Sequence, residues 1–186
     1  MQERSNPETI AEARSGSPGA AGTLYDQHHQ SIFRYLFYRT GDPHTAEDLT
    51  ADVFLKMVQY ISGFAGSPPA FRGWLFQIAR NLSIDHLRRS NAHPLQSITE
   101  NTHSLEEPPE ASAERSLNAE TLRKAMARLT TEQQDVLLLR FVEGMPLAET
   151  ARTLHRSEDA IKGLQRRALL ALHNALNPEE LFNEPR

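Results

Sequence analysis

The sequence predicts an all-α protein made of two small helical domains, a helical bundle followed by a helix-turn-helix, which a flexible acidic linker joins. Apolar residues recur at helical spacing over 24–89 and again over 117–176. No segment alternates apolar and polar residues between turns as a half-buried strand would. Between the two helical stretches, residues 90–116 contain three prolines and several acids but few large apolar side chains, which is typical of a linker.

The composition divides the chain into five segments. Residues 1–22 are rich in Gly, Ser, Ala, Pro and Glu, and they are predicted to form a disordered lead. The first domain is expected over 23–90 and the acidic linker over 91–116. The second domain is expected over 117–176, followed by a short tail over 177–186.

The overall composition excludes several classes of protein. The absence of cysteine excludes disulfides, thiolate metal sites and thiol nucleophiles. No apolar stretch approaches the roughly 20 residues that span a bilayer, and the first residues lack a hydrophobic signal core, so a cytoplasmic protein is expected. The net charge of −4 does not exclude nucleic-acid binding, because residues 61–89 carry four bases against one acid whereas residues 90–119 carry five acids against one base.

Capping residues set the expected boundaries of the first two helices. Thr23 is predicted to cap the first helix and Gly41 to end it. Asp42, followed by a proline, is predicted to start the second helix. One apolar stripe follows on that helix, formed by Ala46, Leu49, Val53, Met57 and Ile61. Asp48 and Asp52 lie together off this stripe because they are four residues apart.

A third helix is predicted after a loop rich in glycine and proline. Its segment FRGWLFQIARNLSIDHLRR mixes aromatic side chains with arginines, and two interpretations stay open. Phe71, Trp74 and Phe76 can be core residues, which is the usual fate of aromatics at helical spacing. Alternatively, part of this surface and the preceding loop can receive unstacked bases while the arginines hold the nucleic-acid backbone.

The second half carries the signs of a helix-turn-helix. Thr130 and Gln133 form a capping-box pattern, and Gly144 is a helix stop. Pro146 opens a short helix, and Ser157 caps a longer basic one. Two helices joined by a short turn, with the second capped and basic, predict a DNA-binding helix-turn-helix.

The internal spacing of this motif supports the prediction. Ala151 is small where the two helices would cross, and Ile161 would fill the gap from the second helix. His155 stands in the turn, where a left-handed backbone is expected and histidine is among the tolerated residues. The residues that then face outward are Asp159, Lys162, Gly163, Arg166 and Arg167. Lys162 and Arg166 can contact phosphates or guanine edges, although a solvated face on a packing helix would show the same charges.

Two ordered segments resemble a known family. AEDLTADVFLKM followed by FRGWLFQIARNLSIDHLRR resembles region two of sigma-70 family factors. LTTEQQDVLLLRFVEGMPLAETARTLHRSEDAIKGLQRRAL resembles region four of the same factors. The resemblance covers residues 24–90 and 117–176, and the linker is too short for a region three domain, which indicates the extracytoplasmic-function (ECF) group. It implies a sigma factor that binds core RNA polymerase, directs promoter recognition and transcription initiation, and responds to an anti-sigma factor.

The resemblance also implies roles for matching positions. The face bearing Asp48, Asp52 and Phe54 would bind the clamp helices of the largest polymerase subunit. The residues that would face the −10 element are Phe71, Arg72, Trp74, Asn81, Asp85, Arg88 and Arg89. The residues that would face the −35 element are Asp159, Lys162, Gly163, Arg166 and Arg167. No catalytic residue, metal or cofactor is expected, and the partners are core polymerase, promoter DNA and an anti-sigma factor.

Two other function classes fit parts of the sequence. A free-standing regulator would bind DNA through residues 130–176 while residues 24–90 sense a ligand or dimerise. An enzyme or metal protein would use the densest group of candidate ligands, which is His28 and His29 with His44 and Asp48. Adjacent histidines point to different helix faces, however, and the sequence has no HExxH, GxSxG or GxxxxGK[ST] pattern, so no enzyme is predicted.

Overall fold

The computed structural model describes residues 7–92 and 121–177, and all regular structure in these ranges is helical, which confirms the predicted fold class. The first half contains α1 (Pro7–Arg14), α2 (Pro18–Thr40), α3 (Pro43–Tyr60), a 3-10 turn (Ile61–Gly63) and α4 (Pro68–Ala92). The second half contains α5 (121–127), α6 (Thr131–Leu137), a π-helical turn (Leu138–Val142), α7 (Leu147–Thr153) and α8 (Glu158–Leu176). Within these ranges no helix is both long and apolar enough to cross a membrane.

The predicted disordered lead is wrong for residues 7–22, which form α1 and the start of α2. Ile10 and Ala13 of α1 are buried, so this short amphipathic helix adds apolar area to the core instead of leaving the chain in solvent. The predicted linker from residue 93 onward and the tail from residue 178 onward lie outside the described residues.

The start of α2 also differs from the prediction. Its cap is Ser17, whose hydroxyl accepts a hydrogen bond from the backbone N–H of Ala20 at 3.4 Å, and Pro18 takes the first helical position. Thr23 lies inside the helix, where its hydroxyl donates to the carbonyl of Gly19 at 3.1 Å. Ser17 followed by Pro18 is the sequence signal for this helix start. Because Ser17 caps the helix, α2 begins six residues before the predicted position.

The boundary between α2 and α3 is as predicted. Gly41 adopts a left-handed conformation with φ of 74°, and its N–H donates to the carbonyl of Phe37 at 2.8 Å. Asp42 caps α3 by accepting from the N–H of Thr45 at 2.7 Å. Hydrogen bonding from the Thr45 side chain, and then from this N–H, lowers the pKa of the Asp42 carboxyl. The two helices therefore meet at a tight corner that local chemistry fixes.

The core of the first half lies between α2, α3 and α4. The predicted stripe on α3 is buried, which confirms it. From α4 the fully buried apolar side chains are Phe71, Leu75, Phe76 and Ala79. The partly buried ones are Trp74, Ile78 and Leu82. Because α4 packs on the core along one continuous apolar face, this packing fixes the orientation of the whole helix.

The helix-turn-helix is confirmed in its local details. Both arms of the capping box form, with Thr130 and Gln133 exchanging hydrogen bonds of 3.0 and 3.3 Å. Ser157 caps α8 by accepting from the N–H of Ala160 at 3.2 Å. His155 has φ of 53° in the turn. A small separate core joins these helices, formed by Val136, Ala151 and Ile161.

The two halves pack against each other, which the sequence did not predict. One hydrophobic core contains residues of the first half together with Met126, Leu129, Leu137, Leu138, Leu139 and Met145 of the second half. Helix α4 lies along α7, and α2 lies against the π-helical turn. The two predicted domains thus form one closed body in this structure.

Candidate polymerase and nucleic-acid interfaces

Helix α3 presents an acidic and apolar face to solvent. Asp48 and Asp52 are exposed, as predicted. Phe54 is only 6% exposed and packs edge-on against Tyr25 of α2 with ring centroids 4.8 Å apart. Its predicted place on the polymerase-binding surface is therefore corrected, because its side chain belongs to the core. Helical spacing instead places Leu55, which is 60% exposed, on the face that bears the two aspartates.

A second exposed apolar residue of α3 was missed by sequence analysis. Val58 is 56% exposed and lies three residues after Leu55. Its signal was available, because an apolar residue off the buried stripe of an amphipathic helix indicates a contact with another molecule. The α3 face, defined as Asp48, Asp52, Leu55 and Val58, is therefore a candidate interface.

The aromatic residues at the start of α4 belong mainly to the core. Phe71 is fully buried between His28 of α2, Phe64 and Trp74, with ring centroids 5.5 to 5.7 Å apart. The prediction that Phe71 contacts DNA directly is therefore corrected, because its side chain is buried in this conformation. Trp74 stays partly exposed and packs on Phe64 at 5.1 Å, so Phe71 supports the exposed tryptophan from below.

Arg72, another predicted DNA contact, binds a residue of the second half of the chain. Its guanidinium donates to the backbone carbonyl of Glu143 at 2.6 Å and pairs with the carboxylate of the same residue at 3.4 Å. It also lies 5.5 Å from the ring of Phe76. In this structure the Arg72 side chain is 18% exposed, which leaves little of it available to a phosphate.

The C-terminal part of α4 carries the remaining predicted contacts to the −10 element. Asn81, Arg88 and Arg89 are exposed, and Asp85 is half-buried. Arg88 pairs with Asp85 at 3.3 Å, and Arg89 donates to the carbonyl of Asp85 at 3.2 Å. Exposed contacts of this kind contribute little to stability. Both arginines can therefore give up their contacts to Asp85 and bind a phosphate at a small cost in free energy.

Helix α8 presents the predicted recognition surface. Asp159, Lys162, Arg166 and Arg167 are exposed, whereas the neighbouring Ile161 is fully buried. Lys162 pairs with Asp159 at 3.0 Å along the helix. Ser157 caps this helix as predicted, and Gly163 leaves no side chain at the middle of the exposed face. The structure thus brings together the predicted residues for the −35 element on one solvent-facing surface.

Buried charges between the halves were missed by sequence analysis. Asp135 of α6 is fully buried, where Arg80 donates to its carboxylate at 2.7 Å and Arg39 lies 3.5 Å away. The hydroxyl of Tyr35 donates to the same carboxylate at 2.7 Å. Burial, followed by the charge of Asp135, raises the pKa of Tyr35 well above its usual value, so this phenol stays a donor.

No metal centre forms in the described part of the chain. No group of three or more histidine or carboxylate side chains there could hold an ion. His28 is 6% exposed, and burial together with the nearby charge of Arg72 lowers its pKa to about 4. This histidine is a neutral core residue at neutral pH, and the histidine group considered for metal binding has no support in the geometry.

Comparisons with known proteins agree with this geometry. The family models for Sigma-70 region 2 and Sigma-70, region 4 match residues 24–93 and 125–174. The ECF RNA polymerase sigma factor BldN of Streptomyces coelicolor is 39% identical over 171 residues, and the match covers 91% of this chain and 65% of that protein. The ECF RNA polymerase sigma factor SigX of Bacillus subtilis is 30% identical over 169 residues, covering 87% of each.

A solved structure, that of CnrH in complex with the cytosolic domain of CnrY, has the same fold. It superposes with a TM-score of 0.70 at 24% identity, and the match covers 94% of this chain and 99% of that one. The two helical halves thus occur together, in this order, in a known architecture.

Proposed function

Because the chain belongs to the ECF group of sigma-70 family RNA polymerase sigma factors, we propose that it binds core RNA polymerase and directs promoter recognition and transcription initiation. The observation that carries this proposal is the presence of two separate interaction surfaces in one chain. One is the acidic and apolar α3 face, and the other is the basic, capped helix α8.

The α3 face suits a protein partner. Exposed Leu55 and Val58 lie beside two carboxylates, so a partner helix that combines apolar and basic side chains would bury the former and pair with the latter. The clamp helices of the largest polymerase subunit are this partner. Phe54 holds α3 against Tyr25 from within and so keeps the face in place.

The DNA contacts divide between the two halves. Asn81, Arg88 and Arg89 at the exposed end of α4, together with Trp74, act at the −10 element. Unstacking bases there costs a few kcal/mol, and stacking on an aromatic side chain offsets about 1–3 kcal/mol per base. Arg166 and Lys162 of α8 enter the major groove of the −35 element. The chain acts by binding energy, without a catalytic step of its own, in the cytoplasm where core polymerase works.

An anti-sigma factor is the proposed regulator. A small apolar groove, lined by Tyr38 of α2 and otherwise by side chains of the second half such as Met126, Phe141, Leu169 and Leu172, offers a protein partner a hydrophobic contact. CnrH, which has the same fold, was solved bound to the cytosolic domain of another protein. A partner seated in this groove would touch both halves at once and hold them in one arrangement.

The test is reconstitution with core polymerase that lacks any sigma factor. A stable complex is expected, with initiation at discrete sites on fragmented genomic DNA. Asp48→Arg and Asp52→Arg should weaken the complex at least tenfold, because each brings like charge to a basic partner. Glu12→Arg is the control, since this exposed carboxylate lies on α1 and not on α3, and its reversal should leave the complex intact.

Duplex binding by the chain alone, with no polymerase complex, would contradict the proposal and favour the free-standing regulator. Equal losses in Asp48→Arg and Glu12→Arg would contradict the assignment of the α3 face while leaving the function in place.

A further inference from the structure

Helix α1 takes no part in the polymerase and DNA contacts of the proposed function. It lies before residue 24, where the Sigma-70 region 2 match begins. Two of its residues, Ile10 and Ala13, are 4% exposed each, and both belong to the hydrophobic core that α2, α3 and α4 share. The other side chains of α1 are exposed or partly exposed, so the helix meets the core along one narrow stripe.

The end of α1 has a fixed geometry relative to α2. Gly16 has a left-handed backbone, with φ of 88°. The N–H of Gly16 donates to the carbonyl of Ala13 at 3.0 Å, and the N–H of Ser17 donates to the carbonyl of Glu12 at 3.1 Å. These two hydrogen bonds form a Schellman motif. Because Ser17 also caps α2, the corner spans only residues 15–17, and α1 is held at one angle to α2.

This angle places α1 against the connection between α3 and α4. The helix packs on α2 and on the 3-10 turn Ile61–Gly63. Ile61 is 3% exposed and belongs to the same hydrophobic core as Ile10 and Ala13. The turn continues directly into the loop 64–67, which leads to α4. Support of the turn by α1 therefore fixes the point from which this loop starts.

Phe64 is the residue that anchors the loop. Residues 65–67 are exposed, whereas Phe64 is 9% exposed and its N–H donates to the carbonyl of Ile61 at 3.0 Å. Its ring packs on Trp74 with centroids 5.1 Å apart and meets Phe71 edge-on at 5.5 Å. The position of the Trp74 ring thus depends on the loop and on the turn before it.

Gly66 allows Phe64 to take this position. A Cβ atom at Gly66 would lie 2.5 Å from the tip of the Phe64 ring and 3.3 Å from the Cβ of Ala70. A side chain at position 66 would therefore displace the ring from Trp74. Gly63 belongs to the same connection but differs from Gly66, because nothing lies within 4 Å of its missing Cβ.

An aromatic ring that receives a base must be in place before the base arrives. A base that leaves the duplex stack gains contact by lying on an aromatic face, and this gain is largest when the ring does not have to be ordered on binding. Trp74 stays partly exposed, so part of its ring is available to a base, while Phe64 and Phe71 pack on it from the protein side.

We infer that α1 is a positioning element for base recognition at the −10 element. It supports the 3-10 turn, the turn sets the position of Phe64, and Phe64 holds the ring of Trp74 where an unstacked base can lie on it. Ile10 is thus a positioning residue, and Trp74 is the residue that touches the base. This inference rests on the proposed function, because it assigns a support to a surface that the proposed function uses.

The first test uses the free chain, without polymerase or DNA. Trp74 is the only tryptophan of the chain, so its fluorescence reports on this site alone. Ile10→Ala should shift the emission to longer wavelength and increase its quenching by acrylamide, because the ring loses support and gains contact with water. Glu12→Ala, which changes an exposed side chain of the same helix, is the matched control and should leave both quantities unchanged.

A second pair of variants tests the loop without altering α1. Gly66→Ala should increase quenching as Ile10→Ala does, and Gly63→Ala should not. Circular dichroism checks that all four variants keep their helical content. Unchanged Trp74 fluorescence in Ile10→Ala would overturn the inference. An effect of Gly66→Ala alone would do so as well, because Phe64 would then keep its position without support from α1.

The last test measures promoter opening in the complex with core polymerase. A 2-aminopurine in the −10 element reports base unstacking, at a promoter that the reconstitution identifies. Ile10→Ala should lower the equilibrium constant for opening by about fivefold, the lower end of what stacking one base contributes. The affinity for core polymerase should stay the same. Ile10→Val should restore opening, because it keeps most of the buried apolar volume.

The outcomes separate this inference from the proposed function. Normal opening by Ile10→Ala would overturn the inference and leave the proposed function in place. Equal losses of opening and of affinity for core polymerase would also overturn it, because α1 would then act through general stability. Failure of the original chain to bind core polymerase would contradict the proposed function, whereas the Trp74 fluorescence of the free chain would still decide whether α1 supports the ring.

Discussion

The hydroxyl of Tyr35 donates a 2.7 Å hydrogen bond to the carboxylate of Asp135, a residue one hundred positions later in the chain. Both side chains are fully buried, at 1% and 0% exposure. The bond joins α2 of the first half to α6 of the second, so it forms only when the halves are together. Its loss therefore reports on closure as well as on local packing.

Tyr35→Phe tests this bond directly. The substitution keeps the ring, which packs edge-on against Phe76 at 5.5 Å, and removes only the donor. The free energy of unfolding should fall by about 1.5–3 kcal/mol, the usual contribution of a hydrogen bond to a charged group. Urea unfolding measures it. Tyr38→Phe, at the edge of the apolar groove, is the control, and an equal loss there would show that the donor to Asp135 is not special.

The start of α2 gives a second prediction. Ser17→Ala removes the cap and should lower the free energy of unfolding by about 1 kcal/mol. Thr23→Ala should change it by much less, because that hydroxyl bonds to Gly19 inside the helix. Thermal or urea unfolding of the two variants decides between them. A larger loss in Thr23→Ala would restore the boundary predicted from sequence.

Stability should fall in mild acid because of His28. Its pKa is about 4 in the folded chain against 6.5 for a free histidine, so between these values the unfolded chain binds a proton that the folded chain does not. The titration of His28 leaves the free energy of unfolding unchanged above about pH 6.5. It lowers that free energy by about 2 kcal/mol between pH 7 and pH 5. Urea midpoints at these two pH values test it. His28→Gln should flatten the dependence and His29→Gln should not; an unchanged slope in His28→Gln would contradict the assignment.

Arg166→Ala tests the recognition helix. In the complex with core polymerase, the loss of one exposed positive charge from the helix in the major groove should weaken promoter binding and reduce the slope of log Kd against log salt by about 1. Filter binding over a salt series measures this slope. Arg128→Ala, another exposed arginine of the second half, should leave it unchanged. A reduced slope in both variants would indicate a diffuse electrostatic effect in place of a defined contact.

Sequence analysis predicted the features that depend on neighbouring residues. Gly41, Asp42 and Thr130 act within a few positions of themselves, so their types and spacing were sufficient. The same logic would have found Ser17, because serine before proline is a cap signal, but the small residues around it indicated disorder more strongly. The composition of residues 7–22 hid a helix that two apolar side chains stabilise.

Contacts between distant segments could not be predicted in this way. Phe54 is buried because Tyr25 of α2 covers it, and Phe71 because Phe64 and His28 meet it from other elements. A single aspartate on an amphipathic helix, such as Asp135, carries no sign that two hydrogen-bond donors and a further arginine from the other half will surround it. These facts depend on tertiary packing, which local periodicity does not contain.

The π-helical turn after α6 has a consequence for insertions and deletions. Within it the N–H of Glu143 reaches back five residues to the carbonyl of Leu138 at 2.9 Å, so this helix holds one residue more than a regular α-helix of the same span. Deleting one residue of Leu138–Val142 would remove the extra residue and leave a regular α-helix, so the residues after the turn would keep their orientation. Glu143 would then stay beside the arginines that hold it. Among relatives of this chain, those one residue shorter at this turn should have kept the charged pair.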